Sequence, residues 1–407
     1  MSNATNTIKK RRMMLAFGVF SMLFAGIIYA WSILKAPLAS ELGYEDSALA
    51  LNFTLTMCGF CLGGFLGSFI SKKIGVNLSV VFSGLAAGVG LSLTGLLSAE
   101  TLPLLYITYA LMAGGGIGVV YNVIISTVSA WFPDKKGLCS GCLMMGFGAS
   151  TLLLGNLAGA LFDMPGIGWR ATYAIIGTML GLVLITTGAF ISRPTEKDDL
   201  PKPAVVNRPG ESFETKDFTP AEMIRRPSFW LAFICLICLT AVGNSVISFA
   251  RDLALEVGAE ARLATMLVGV LSVCNGLGRI ITGKAFDAIG RRNTMLSANV
   301  LTIVAAGITL LAVNIHSLPL CIVGLCLTGI SYGSSPTVAS AFSSSFYGMK
   351  HFPTNFSIMN FNLMAASFVA TVCSALKVAT VGYQAPFMLL LGLSVFALVL
   401  NISIKKP

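Results

Sequence analysis

Apolar residues along this chain fall in long unbroken stretches, not in the one-sided stripe of a water-soluble helix or the alternation of a half-buried strand. A helix needs roughly 20 predominantly apolar residues to cross a bilayer. Twelve stretches meet that length: about 13–38, 47–71, 76–97, 102–131, 137–162, 169–192, 228–250, 263–286, 293–314, 318–345, 355–377 and 384–403. The connections between them are short, with one exception. Residues 193–227, RPTEKDDLPKPAVVNRPGESFETKDFTPAEMIRRP, are polar and carry prolines. The pattern predicts an all-α membrane protein whose twelve transmembrane helices form two six-helix bundles, residues 1–192 and 228–407, joined by a linker over 193–227. The first stretch is too long for the h-region of a signal peptide and lacks a small-residue cleavage site after it, so it reads as a span.

One polar side chain breaks the pattern where it costs most. Within MLVGVLSVCNGLGRIITGKAFDAIGRR, residues 266–292, Arg279 stands near the middle of a span. A cation at that depth costs from about 2.5 to more than 10 kcal/mol, so it faces the protein interior or a water-filled cavity. Arg279 therefore reads as an anion-binding group, with a structural arginine paired to a carboxylate on another helix as the alternative. Asn275 lies one helical turn earlier on the same face and offers a neutral hydrogen-bonding partner.

Composition supports the membrane assignment and narrows the function. The chain has 407 residues, 55% of them hydrophobic and 11% charged, with a mean hydropathy of +0.83; a soluble domain carries about 25% charged residues. The net charge of +10 invites nucleic acid, but most of the 27 Lys and Arg fall on one set of connections. These are the N-terminus (Lys9, Lys10, Arg11, Arg12), Lys72 and Lys73, Lys135 and Lys136, the linker, Lys284, Arg291 and Arg292, Lys350, and the C-terminus. Basic residues mark the cytoplasmic side. The excess thus predicts a multi-pass protein of the cell membrane with both termini cytoplasmic, and needs no nucleic acid. Three C-x-x-C pairs (Cys58/Cys61, Cys139/Cys142, Cys235/Cys238) lie inside apolar stretches without neighbouring His or acids and read as buried thiols, with no metal and no cofactor.

The two halves repeat. The turn GKAFDAIGRR, from Gly283 to Arg292, follows the eighth stretch, and SFISKKIGVN follows the second, with Gly75 in the place of Gly290. Parallel repeats joined by a long linker imply a site between the halves.

These residues resemble the major facilitator superfamily, whose signature loop matches Gly283, Asp287, Gly290 and Arg291. YAWSILKAPL (29–38), GIGVVYNVIISTVSAWFPDKKG (116–137) and NGLGRIITGKAFDAIGR (275–291) narrow the resemblance to the oxalate/formate antiporter family and the related monocarboxylate transporters. The resemblance implies that Arg279 holds a substrate carboxylate and that Tyr29, Tyr121 and Tyr332 box the substrate. Phe147 stands where oxalate-carrying members have another tyrosine. The chain departs from them in its eleventh stretch: Leu363 takes the place of a second substrate-binding lysine, and Asn360 that of a tryptophan.

A dianion in a low-dielectric cavity wants two compensating charges, whereas one arginine balances one carboxylate, bound bidentately. The expected cargo is a small monocarboxylate such as lactate, pyruvate, formate or glycolate, moved by proton symport or anion exchange. An oxalate:formate-type dicarboxylate antiporter is the alternative, and a passive anion pore is the alternative of another class. Asn122, Asn275, Asn360 and Asn362 are candidates for the cavity wall, or else bond between helices. Lys35 attracts anions to an outer vestibule or snorkels to headgroups. Asp252 is the candidate proton site or transient partner of Arg279, or a solvated helix-end carboxylate. Protons and the bilayer are the other expected partners, and the expected working unit is a monomer. With His316 and His351 both in connections and no paired carboxylates within the spans, an intramembrane enzyme has no catalytic groups to use.

Overall fold

Each of the twelve apolar stretches forms a helix: α1 Thr7–Leu42, α2 Asp46–Lys73, α3 Val76–Thr94, α4 Ala99–Ser129, α5 Leu138–Phe162, α6 Gly168–Phe190, α7 Pro227–Glu256, α8 Ala261–Phe286, α9 Arg292–Asn314, α10 Leu318–Tyr347, α11 Phe352–Thr380 and α12 Gln384–Ile402. This computed structural model describes residues 2–134, 136–195, 198–201, 217–348 and 350–404, apart from the side chains of residues 2–6, 136, 137, 287 and 291. The signature-loop expectation for Asp287 and Arg291 rests on side chains outside the described residues. α1 begins well before the apolar stretch does, because Lys9 to Arg12 are good helix formers and extend the helix into water.

Leu66, Phe82, Leu111, Leu182, Met388 and Val399 point outward and are exposed. Surface of that kind would be a liability in water and is matched to lipid tails. The interior holds the polar side chains instead, among them Thr54, Asn244, Asn275, Arg279 and Asn362.

The repeat between halves extends to backbone geometry. Gly290, between α8 and α9, has φ 79° and ψ 171°; Gly75, between α2 and α3, has φ 86° and ψ 163°. Both turns therefore use a conformation that side chains with a Cβ rarely adopt.

Several helices depart from regular α geometry. α1 tightens to a 3-10 turn over Gly26–Ala30. α4 widens to π-helix over Tyr106–Gly114, and α5 does so over Thr151–Gly155. α7 kinks at Phe249, with φ −131° and ψ 15°. Local departures of this type concentrate at functional sites.

The first and last six helices meet along two seams. In one, α2 packs on α11: Thr54 Oγ1 donates to Ser367 O at 2.9 Å and Cys61 Sγ to Asn360 O at 3.2 Å. In the other, α5 packs on α8, where a Cβ on Gly148 would stand 3.0 Å from Gly276 N. The linker is tied down at both described ends. Just before it, Trp131 Nε1 donates to Ser192 O at 2.7 Å, and within it Asp198 pairs with Lys10 at 3.0 Å. Phe218 N donates to Tyr347 O at 3.0 Å, while Asn355 Nδ2 donates to Phe218 O at 3.0 Å. A short helix, Pro220–Ile224, starts on a reciprocal Thr219–Glu222 cap.

Candidate substrate site

Arg279 projects from the middle of α8 into the α5 seam and is 1% exposed. Its Nε donates to Asn275 Oδ1 at 3.1 Å, one turn back on the same helix. Its Nη1 donates to Met144 O on α5 at 2.7 Å. The guanidinium has five N–H groups, and these two bonds take one each. The ion pairs among the described residues are Lys10–Asp198, Arg11–Asp134 and Lys35–Asp252; Arg279 belongs to none of them. Both of its bonded partners are neutral oxygens, so its charge is oriented without being neutralised.

The backbone brings this turn of α8 close to α10. A Cβ on Gly333 would stand 2.1 Å from Asn275 O and 3.0 Å from Arg279 N. Only a glycine permits that approach, and it delivers Tyr332 to the same level. The Tyr332 hydroxyl donates to Asn244 Oδ1 on α7 at 2.7 Å, and Asn244 Nδ2 donates to Leu363 O on α11 at 3.1 Å. Across the midline the Tyr29 and Tyr332 hydroxyls are 2.9 Å apart. Arg279 is within electrostatic reach of the Tyr332 and Tyr121 hydroxyls.

Rings complete the enclosure. Phe147 meets Tyr29 and Tyr121 edge-on, each at 5.2 Å between centroids. Phe60 stands 5.0 Å from Tyr121 and 5.9 Å from Phe147. Such edge-to-face pairs add about 0.5–1.5 kcal/mol each beyond the area they bury. They wall the arginine with low-dielectric surface, in which any charge–charge contact strengthens.

The sequence-predicted residues separate into groups. Arg279, Asn275, Tyr29, Tyr121, Tyr332 and Phe147 come together. Asn275 Nδ2 is buried without a hydrogen-bond partner among the described residues, so an unused donor stands beside the guanidinium. Asn362 is occupied elsewhere: its Nδ2 donates to Met359 O at 2.6 Å and its Oδ1 accepts from Thr240 at 3.0 Å. Asn122 donates to Ser357 Oγ at 2.7 Å, in the seam between α4 and α11. Asn360 lies in the α2–α11 seam, with Oδ1 buried and unpartnered among the described residues. Lys35 and Asp252 bond each other at 2.8 Å near the face opposite the linker, so Asp252 faces a lysine of α1 and not Arg279. Asn244 escaped the sequence reading although it carries the same signal as Asn275, a lone amide within an apolar stretch. The Met144 carbonyl carries no such signal.

Twelve helices of membrane-spanning length around a cation that is buried at mid-span and forms no ion pair among the described residues are the build of a membrane transporter. A family model of the Major Facilitator Superfamily matches residues 13–251 and again 233–406. The chain belongs to that superfamily. It is similar to the "Oxalate:formate antiporter" of Oxalobacter formigenes, 28% identical over 293 residues, 72% of this chain and 67% of the relative. The "Uncharacterized MFS-type transporter YhjX" of Escherichia coli (strain K12) is 26% identical over 356 residues, 86% of this chain and 84% of the relative. "Monocarboxylate transporter 12" of Homo sapiens is 25% identical over 351 residues, 80% of this chain and 66% of the relative.

Proposed function

We propose that this transporter carries small monocarboxylate anions of the lactate, pyruvate and formate class by alternating access. Residues 1–192 and 228–407 rock about a central site built on Arg279, and the 193–227 linker tethers them. The observation that carries this reading is the buried guanidinium bonded, among the described residues, only to neutral oxygens, beside an Asn275 amide that has no partner there. A donor-rich point inside an aromatic wall complements a carboxylate, which accepts bidentately from arginine. Leu363, 3% exposed, supplies no second cation, which favours one carboxylate over two. That the relatives include an oxalate:formate antiporter and a monocarboxylate transporter fits an organic anion as cargo.

A loaded carrier reorients with its arginine neutralised, whereas an empty one carries an uncompensated charge, an asymmetry that favours exchange. Proton symport is the second mode, with the proton delivered on the substrate or through an acid. The Lys/Arg distribution supports a cell-membrane carrier with both termini in the cytoplasm, and the site, complete within one chain, supports a working monomer.

Purified protein in proteoliposomes tests the reading with formate, glycolate, lactate, pyruvate and oxalate, each offered to empty and to preloaded vesicles. Saturable uptake of a monocarboxylate in preference to oxalate is expected. Uptake into empty vesicles driven by an inward proton gradient would refute obligatory exchange, unsaturable flux without counterflow would indicate a pore, and failure to move any of the five would overturn the proposal.

A further inference from the structure

The pair formed by Lys35 and Asp252 has a chemistry that the central site does not use. Lys35 Nζ, on α1, and Asp252 Oδ2, on α7, meet at 2.8 Å across the two halves, near the face opposite the linker. Their side chains are 12% and 27% exposed, so water and small solutes reach the contact. The residues that follow Lys35 and precede Asp252 in the chain, Ala36 and Arg251, line a cavity of about 960 Å³ whose charged wall is mixed, Arg251 and Arg262 with Glu41 and Asp163. One turn below Asp252, α7 departs from helical geometry at Phe249, whose ring rests on Tyr383 at 4.8 Å.

We propose that Lys35 is an outer binding site for the transported carboxylate, held closed by Asp252, whose own carboxylate occupies the ammonium until the arriving anion displaces it. The inference rests on the carboxylate reading of the central site and adds to it a first point of contact and a condition for opening. A carboxylate–ammonium contact is broken and another of the same kind is made, so the exchange costs little. Neutral solutes and cations offer nothing in return for the lost contact, and a ligand shifts a conformational equilibrium only by its preference for one state. The Phe249 kink separates the end of α7 from the part that holds Asn244, so Asp252 can swing away without disturbing the Tyr332 bond below. Tyr383 lies within electrostatic reach of Asp252 and carries the Lys377 ammonium over its ring at 4.7 Å. Lys377 thus stands on the same half as Asp252, on the ring that the Phe249 kink touches.

The test uses full-length protein in proteoliposomes whose orientation is fixed by protease access to the linker. KM is measured for formate, glycolate, lactate and pyruvate on each face, for wild type, Lys35→Gln and Asp252→Asn. Melting temperatures confirm that both variants fold. Removing the site and removing its internal occupant act in opposite directions. On the face opposite the linker, Lys35→Gln is expected to raise KM about fivefold and Asp252→Asn to lower it about threefold, within the upper range of a solvent-accessible ion pair. KM on the linker face is expected to change little in either variant. A pair that only fastens the halves together predicts the same direction of change for both substitutions, and that result would overturn the outer site while leaving the central one standing. Failure of the wild type to transport any of the four anions would overturn both.

Discussion

The hydroxyl of Tyr29 donates to the hydroxyl oxygen of Tyr332 at 2.9 Å, and the direction of that bond is set by neighbours on the other half of the molecule. Asn244 Nδ2 is spent on Leu363 O, which leaves its oxygen to face Tyr332, and the Tyr332 proton goes to that oxygen at 2.7 Å. Tyr332 has one proton to give, so the proton between the rings belongs to Tyr29. Tyr332→Phe removes a donor from the buried Asn244 oxygen and an acceptor from Tyr29. Tyr29→Phe removes only one of the two bonds of the Tyr332 oxygen. A buried group left unsatisfied costs about 1–3 kcal/mol, so Tyr332→Phe is expected to lower the melting temperature in detergent more than Tyr29→Phe does. Equal losses, or the reverse order, would show the chain of donors to be wrongly directed.

Arg279→Lys keeps the positive charge and removes the fork. A lysine cannot hold Asn275, the Met144 carbonyl and a carboxylate in fixed geometry at once. Transport is expected to fall about tenfold or more, the scale of one lost charged hydrogen bond. Initial rates in proteoliposomes measure this, and a variant close to wild type would count against Arg279 as the carboxylate ligand.

Gly333→Ala sets a methyl group against the Asn275 carbonyl and the Arg279 nitrogen, at 2.1 and 3.0 Å before relaxation. α8 and α10 must separate at the level of the site, so both melting temperature and transport are expected to drop. Gly307→Ala is the control, since a Cβ there meets nothing within 4 Å. A mid-helix glycine costs roughly 0.5–1 kcal/mol relative to alanine, so this change is expected to be neutral or stabilising. Similar melting curves for the two variants would contradict the close approach of the helices.

Leu363→Lys adds the second cation that two carboxylates call for. Oxalate is expected to compete with monocarboxylate uptake about tenfold better in this variant than in wild type, one charged contact's worth of affinity. Competition curves on vesicles that fold and load normally decide it. An unchanged oxalate inhibition constant would detach the preference for one carboxylate from the count of cations.

The spans were legible in the amino-acid order because a bilayer asks only for apolar length, and the equivalence of Gly75 and Gly290 was legible because two short turns repeat. Arg279 announced itself by its cost, and Asn275 by lying four residues away on a helix. Contacts between distant positions were not legible. Lys35 and Asp252 are 217 residues apart, and nothing local to either chooses the other over headgroups or Arg279. The asparagines show the same limit: polarity inside a span marked Asn122, Asn362 and Asn275 alike, but only packing decides that Asn362 serves Thr240 while Asn275 keeps an unused donor. The kink at Phe249 has no proline to mark it, and the Met144 carbonyl belongs to a backbone whose groups are the same at every residue.

The bond from Arg279 to the Met144 carbonyl joins a cation of one half to the main chain of the other. No side-chain change at Met144 removes that oxygen. On the proposed mechanism, a carrier that finds no anion stays gripped instead of turning over idle. The same oxygen thus acts as a latch between the halves that only a better acceptor for the guanidinium releases.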